Sequence, residues 1–338
     1  MKVIKQNVGI DVSKKELAVC LSFLQEDLCV KIKGTKKFGN NESGFKAIME
    51  WLDRKKDTAM PLHFTMEPTG VYHENLSYFL NDREQLVHIV LGNKAKKYAE
   101  SLSVNSKTDT LDSKALSRMG VERKLELWNP GSPIYRKLKV LTRERSASLK
   151  IRVMIKNQLE AMLHSAFLNK KTVNRLNRTI KELNSQVEKI EKDIEMVVEN
   201  NKELKSKILK IISIPGIGFL TAVIIIAETD GFALIKSIKQ IVAYAGLDIK
   251  IKESGKWKGK SKISKTGNVH IRKALYWPAY SSVTHTQTYS VFYERLFNRK
   301  EISMVAAVAV QRKLLGLMYT LWKNDTVYID NYESKKVA

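Results

Sequence analysis

The chain has 338 residues, with 59 Lys and Arg against 35 Asp and Glu and a formal net charge of +24. That balance excludes an acidic solvating tail and most small-metabolite enzymes: so large an excess repels itself unless a polyanion neutralises it, and nucleic acid has the charge density to do so. With 43% hydrophobic residues the chain can fill packed cores, about two at ~150 residues per domain, and its two cysteines are too few for a disulfide framework.

Cys20 and Cys29 lack zinc-site spacing and read as buried core thiols in a reducing compartment. The N-terminus lacks the apolar core of a secretory signal. The greasiest run, Phe219 to Ala227, is far short of the ~20 residues that span a bilayer. The expectation is a cytoplasmic protein, on the nucleoid when bound to DNA, with no membrane partner.

The first 130 residues read as α/β. Val8, Ile10 and Val12 alternate as a strand does, Leu17, Val19 and Leu21 repeat the pattern, and Val30 with Ile32 suggests a third strand. Three short strands in succession predict an antiparallel meander. A helix from Ser43 to Leu52 follows, then a strand ending at Met66, a helix from about Tyr72 to Leu80 and a strand from Leu86 to Leu91. This domain, residues 1–130, closes near Trp128 to Pro133.

Ile134 to Ile214 holds neither glycine nor proline, which predicts long helices across residues 131–212. One covers roughly 134 to 168. In the next, Val173, Ile180, Val187, Ile194, Asn201 and Ile208 form one heptad seam position, and Leu176, Leu183, Ile190, Val197, Leu204 and Ile211 the other. Such a repeat predicts a coiled-coil rod roughly 58 Å long through which the chain forms a homo-oligomer, dimer or tetramer, with Asn201 fixing register. Packing within its own subunit is the plain alternative. A third domain, residues 213–325, is all-α apart from a Lys-rich segment from Asp248 to Gly267, and residues 326–338 form a polar tail.

In so basic a chain the informative carboxylates are those in awkward places. Asp11 sits inside the first strand, on the face opposite Val8, Ile10 and Val12. Glu67 ends a later strand, where Pro68 favours extended backbone and Gly70 permits a tight turn. Asp109 and Asp112 are spaced to share one face of a helix. Singly they read as a solvated strand face, a turn residue and a helix cap. Brought together they would repel without hard cations, Mg²⁺ being the expected ion, and a pair of such ions suits phosphodiester displacement. His63, His73, His88, His164, His270 and His285 show no competing ligand spacing.

The order of these motifs resembles an RNase H/RuvC-like nuclease domain. More narrowly, GIDVSK, EPTG, KTDTLDSKAL, the heptad segment and the PGIG and KTGN blocks resemble the DEDD transposases of insertion sequences, the bridge-RNA-guided recombinases. The resemblance covers nearly the whole chain. It implies that Asp11, Glu67, Asp109 and Asp112 bind metal, and that a C-terminal serine, matching Ser254 here, attacks DNA and becomes covalently linked to it. A phosphoserine ester keeps the energy of the broken phosphodiester, so strands can be rejoined without ATP.

Residue chemistry alone does not select Ser254, because Ser261 and Ser264 lie in the same basic segment. Gly255 would let a DNA backbone approach, and Lys256, Lys258, Lys260, Lys265 and Arg272 would neutralise phosphates. Trp257 either stacks on a base or packs, with packing the expectation. Gly216 and Gly218 in IPGIG resemble a helix-hairpin-helix turn whose amides suit a phosphate, or form a plain connector. Eleven Lys and Arg lie between Arg118 and Lys156. Among them Arg143, Arg145 and Arg152 are candidates to follow a nucleic-acid backbone, which in the resembled family is RNA. The expected function is therefore a Mg²⁺-dependent DNA transposase guided by an element-encoded RNA. The rivals are a RuvC-like hydrolytic nuclease, which needs no Ser254, and a non-catalytic nucleic-acid-binding scaffold.

Overall fold

The structure is a computed structural model, and it describes residues 2–330 apart from 69, 103–107, 234, 251–252, 256 and 260–261. The chain divides into two compact units, Met1–Pro130 and Gly131–Ala338.

Unit 1 is a five-stranded sheet with helices on both faces. Its elements are β1 (Val3–Val12), β2 (Glu16–Gln25), β3 (Val30–Gly39), α1 (Glu42–Asp53), β4 (Leu62–Met66), α2 (Glu74–Asn81), β5 (Leu86–Ile89), α3 (Gly92–Ser101) and α4 (Asp109–Glu122). The strand order is β3-β2-β1-β4-β5. The first three strands form the expected antiparallel meander, and β4 and β5 run parallel to β1.

The alternation in β1 decides which face goes where. Val8, Ile10 and Val12 are buried with Leu17, Val19 and Leu21 of β2 against Phe45, Ile48 and Leu52 of α1 and Leu76 and Leu80 of α2. Asn7, Gly9 and Asp11, one residue out of phase, face the other side. There α4 lies almost on the strand. A Cβ at Gly9 would overlap the backbone of Ser113 and Ser117, and one at Gly120 would overlap the side chain of Asn7.

Buried polar groups lock this approach. Asn7 donates from Nδ2 to the Ser117 carbonyl (3.2 Å), Ser117 Oγ donates to the Asn7 carbonyl (2.8 Å), and Thr65 Oγ1 donates to Asn7 Oδ1 (2.9 Å). Each group is satisfied, so burying them carries no orphan penalty, and the geometry permits one helix register.

Unit 2 is helical. It comprises α5 (Pro133–Leu163), α6 (Lys170–Glu199), α7 (Lys202–Ile212), α8 (Phe219–Glu228) and α9 (Ile238–Tyr244). Four two-residue strands follow: β6 (Ile249–Lys250), β7 (Glu253–Ser254), β8 (Trp257–Lys258) and β9 (Lys262–Ile263). The chain then forms α10 (Val269–Ala274), α11 (Tyr276–His285), α12 (Gln287–Lys300) and α13 (Ser303–Asn324).

The expected continuous rod is broken. Asn201 is the N-cap of α7, its side chain accepting from the Leu204 amide at 2.9 Å, and so it ends one helix and starts another rather than setting register within one. The seam is also occupied by its own chain. Ile190 and Ile194 join Leu138 of α5, Leu204 and Ile208 of α7, and Val223 and Ile226 of α8 in one core, with Val197 packed against it. Over its inner part the heptad pattern thus packs within its own chain, because a/d spacing marks any narrow helix–helix seam, whichever chain supplies the partner; Val173, Leu176 and Ile180 of the outer part are not in that core.

Two smaller expectations change as well. Cys20 is buried but Cys29 is exposed, since it follows the turn after β2. And α13 is long and apolar enough to cross a membrane by length and composition. Half of that stretch is buried here, with Val310, Leu314, Leu315 and Met318 in the core of unit 2.

Candidate active site

Sheet register gathers the acidic residues. Ile10 of β1 pairs with Met66 of β4 in parallel, so the next residue along each chain, Asp11 and Glu67, follows at the C-terminal end of the same two strands. Asp11 pairs on its other side with Ala18, and Ala18 with Lys37 of β3. Directly paired residues share a face, so Asp11 and Lys37 point to the side that α4 covers. The Lys37 ammonium lies 3.8 Å from Asp109 Oδ2 and 3.2 Å from Glu16 Oε2.

The helix brings the remaining two carboxylates. Gly120 and Ser117 of α4 sit over Asn7 and Gly9, and Ser113 over Gly9, so the helix descends as the strand ascends. Its first turn, with Asp109 and Asp112, therefore arrives at the Asp11 end. Thr108 caps that turn by accepting from the Leu111 amide at 3.2 Å, which corrects the alternative reading of Asp109 as the cap. Two acids in a first turn also suit the helix dipole. Glu67 is held from the other side: a Cβ at Gly92, the first residue of α3, would overlap its carboxylate. The glycine makes room for the acid.

All four carboxylates thus border the C-terminal ends of β1 and β4 and the N-terminal ends of α3 and α4. Among the described residues no three Asp, Glu, His or Cys side chains stand close enough together to hold a metal ion. The donor set is nonetheless oxygen only, which fits a hard divalent cation and no soft one. Lys37, between Asp109 and Glu16, tempers the repulsion. Neither Lys37, Glu16 nor Gly92 was singled out by sequence reasoning; the pairing Asp11–Ala18–Lys37 emerges only once strand register is known.

Ser254 occupies a different setting. It ends β7 and pairs with Trp257 of β8, so that it stands at the tip of a minimal hairpin. Gly255 adopts φ +57° there, the left-handed conformation that glycine tolerates, with nothing within 4 Å of where its Cβ would be. Ser254 and Gly255 are exposed, and so is Trp257 at 60%, against the expectation that it packs. Ser264 is spoken for, since its hydroxyl donates to the Asp248 carboxylate at the base of the segment. Lys256, Lys260 and Ser261 lie outside the described residues, as does the side chain of Lys258.

The remaining basic candidates are largely engaged by their own unit. Arg143 forms a two-pronged pair with Glu228, Nε to Oε1 at 2.8 Å and Nη2 to Oε2 at 3.0 Å. Arg145 Nε donates to Glu191 Oε1 at 2.6 Å, and Arg152 Nη1 to Asn184 Oδ1 at 2.9 Å, both joining α5 to α6. Arg272 Nη1 donates to the carbonyls of Ala245 and Gly267, pinning the loop before α10. Lys265 is exposed, with its own backbone at φ +51°.

Gly216, at φ +88°, lets α11 approach, since a Cβ there would overlap Ser282, whose hydroxyl donates to the Pro215 carbonyl at 2.7 Å. Gly218 caps α8 with open space around its Cβ position.

Two buried titratable clusters escaped sequence reasoning. Glu228 is 2% exposed and also accepts from Asn268 Nδ2 at 2.7 Å. Burial raises its pKa, but the hydrogen bonds from Arg143 and Asn268 and the charges of Arg143 and Lys139 outweigh this and hold it below the usual range. In unit 1, His63 Nδ1 and His88 Nε2 lie 2.9 Å apart on neighbouring strands, and His88 Nδ1 meets the Glu126 carbonyl. Burial first, then the charges of His88 and Lys5, lower the His63 pKa to about 4; with His88 Nδ1 donating to the Glu126 carbonyl, His88 Nε2 is left to accept from His63 Nδ1.

Comparison with known proteins bears on both halves. A transposase family model of the IS110 DEDD type matches residues 8–168, and one described as transposase, IS116/IS110/IS902 family, matches residues 209–294. The pilin gene-inverting protein of Moraxella bovis is 27% identical over 320 residues, covering 94% of this chain and 95% of the relative. That of Moraxella lacunata is 26% identical over 322 residues with the same coverage. Among solved structures, Thermus thermophilus RuvC is similar with a TM-score of 0.29 and 9% identity, over 37% of this chain and 100% of that one. With two models of one transposase group following each other along most of its length, this chain belongs to the IS116/IS110/IS902 family of transposases, enzymes that recombine DNA.

Proposed function

We propose that the protein excises and inserts DNA by strand exchange, with Asp11, Glu67, Asp109 and Asp112 as one Mg²⁺-dependent site and Ser254 as a nucleophile. The observation that carries this reading is the register of β1 and β4, which runs Asp11 and Glu67 side by side while the Asn7–Ser117 lock sets the first turn of α4 over the same edge. Divalent ions held there would stabilise charge on the attacking and leaving oxygens.

In the first step Ser254 Oγ attacks a DNA phosphorus, the bond from that phosphorus to one deoxyribose oxygen breaks, and the leaving oxygen gains the proton that the serine loses. Attack by the same kind of deoxyribose hydroxyl on the phosphoserine reverses the balance and releases Ser254. The exposed tip position of Ser254 and the open surroundings of Gly255 support access by a duplex backbone. The acids and the serine belong to different units, which is compatible with a composite site assembled between subunits of an oligomer. An element-encoded RNA would supply sequence recognition by base pairing, leaving backbone and shape to the protein. Inversion of a DNA segment, suggested by the name of the Moraxella relatives, is one product of the same two steps.

Ser254→Ala tests the serine. A strand-exchanging enzyme loses its covalent protein–DNA adduct and strand transfer, whereas a hydrolytic nuclease of the RuvC type keeps cutting and a binding scaffold never cuts. Persistence of the adduct in Ser254→Ala would overturn the assignment, and Ser264→Ala serves as the control that keeps it.

A further inference from the structure

Unit 2 carries an aromatic surface that the reaction above does not use. Tyr276 and Trp277 on α11 are in ring contact at 5.1 Å, Tyr276 meets Tyr280 at 5.4 Å, Tyr280 meets Tyr293 of α12 at 6.4 Å, and Tyr293 stacks on Phe297 at 6.2 Å. Trp277 is 73% exposed. A large ring left so far in water, at the head of a connected row of rings, buries little of its area in the isolated chain and offers a stacking face to something that covers it.

Beside this row lies an open groove of about 460 Å³. Its apolar lining comes from Leu247, Ile263, Val269, Trp277, Met304 and Val308. Arg272 and Lys273 supply charge at the wall, and no Asp or Glu is among the residues that form it. Leu247 immediately precedes the Lys-rich segment and Ile263 lies within it, paired with Ile249, so the groove adjoins the root of that segment. An apolar occupant with positive charge on the rim and a free indole beside it points to one ligand chemistry. A nucleobase has two π-faces to stack and a phosphate on each side for the cations; an acidic or apolar peptide offers only one of these.

We infer that the groove between α10, α11 and α13 receives an unpaired nucleobase of a single-stranded nucleic acid, stacked on Trp277 and held by Lys273 through its flanking phosphate. The inference rests on the reading of this chain as a DNA-recombining enzyme and adds to it a site for strands that are out of the duplex. Strand exchange requires such strands at the moment of transfer. Trp277 supplies sequence-tolerant stacking, because every base presents a π-face. Arg272, already donating to two backbone carbonyls, contributes field rather than a new hydrogen bond.

The test uses the full chain and a fluorescein-labelled oligo-dT of about 16 nucleotides, compared with a blunt duplex of the same length. Trp277→Ala is expected to bind the single strand about tenfold more weakly with duplex binding unchanged. Trp277→Phe should retain most of the affinity, and Lys273→Ala should lower the slope of log affinity against log salt by about 1. Equal single-strand affinity of wild type and Trp277→Ala overturns the inference. So does a fall in sedimentation mass of the free protein in Trp277→Ala with oligo-dT binding intact, which would assign the rings to a second copy of the chain. Strand cleavage in the same preparations separates this site from the acidic one. If Trp277→Ala is indifferent to oligo-dT while cleavage remains sensitive to Asp11→Asn, only the groove falls. If Asp11→Asn leaves cleavage intact while Trp277→Ala weakens single-strand binding, only the acidic site falls.

Discussion

Unit 1 and unit 2 hold their candidate reactive groups in opposite ways. In unit 1 the acids are fixed by register: Asp11 by the β1 ladder, Glu67 by the parallel pairing of β4, and Asp109 and Asp112 by a helix that glycine and buried hydrogen bonds hold against the strand. In unit 2 the serine stands at the end of two-residue strands with exposed residues around it. On the proposed reading, acids that are to share a metal need a rigid frame, whereas a serine that is to attack a bulky duplex needs access. The difference predicts that damage to the frame of unit 1 acts through geometry, whereas loss of a carboxylate there, like loss of the Ser254 hydroxyl, acts through chemistry.

The largest effect should come from Asp11→Asn. Replacing a carboxylate expected to bind metal removes more activity than the roughly hundredfold typical of an outer-shell change, while the melting temperature stays put. A normal cleavage rate in Asp11→Asn would erase the contrast between the units. Gly9→Val attacks the frame instead. Its Cβ meets the α4 backbone, so unit 1 should lose ~3 kcal/mol in denaturant unfolding while unit 2 keeps its own transition.

Glu228→Gln is the matching change in unit 2, expected to cost ~2 kcal/mol, because an amide replaces a carboxylate that accepts charge-assisted bonds from Arg143. Asn201→Ala should cost ~1 kcal/mol through the lost α7 cap, measured in the same way.

Acid should separate the units too. The His63 pKa is lower folded, at about 4, than its ordinary 6.5, so its protonation favours the unfolded chain. Its contribution is complete above pH ~6.5 and declines as pH falls towards ~4. Glu228, also lowered, contributes fully above the usual Glu value of ~4.3 and loses that support only below it. His270 in unit 2 is lowered in the same sense as His63, chiefly by burial. Melting curves between pH 7 and 4 should therefore show unit 1, in which His63, His73 and His88 are all lowered, weakening more than unit 2 with its His270, and His63→Gln should flatten the unit 1 slope by removing one titrating ring. An unchanged slope would place the acid sensitivity elsewhere.

Much of this was legible in the chain. Alternation in β1 and β2 set the sheet face on which Asp11 lies, and the i, i+3 spacing of Asp109 and Asp112 on α4 was readable directly. What stayed hidden depends on long-range pairing. Lys37 reaches Asp109 across β2, His63 finds His88 on the next strand, and Glu228 finds Arg143 far back along the chain. The same limit explains the heptads: periodicity shows that α6 has a narrow apolar seam but not whose helix fills it. Basic residues are ambiguous for a related reason. Arg143, Arg145 and Arg152 looked like a polyanion track, yet each is turned towards a partner on its own unit, and no local pattern distinguishes the two uses.

The Glu228 carboxylate is gripped at once by Arg143 from α5 and by Asn268, the residue that caps α10. A shift of the long hairpin against the helix that follows the Lys-rich segment would strand a sunken anion between them. The serine-bearing segment is rooted just ahead of that cap, so one sunken carboxylate ties its footing to the hairpin's, alongside the grip of Arg272 on the Ala245 and Gly267 carbonyls.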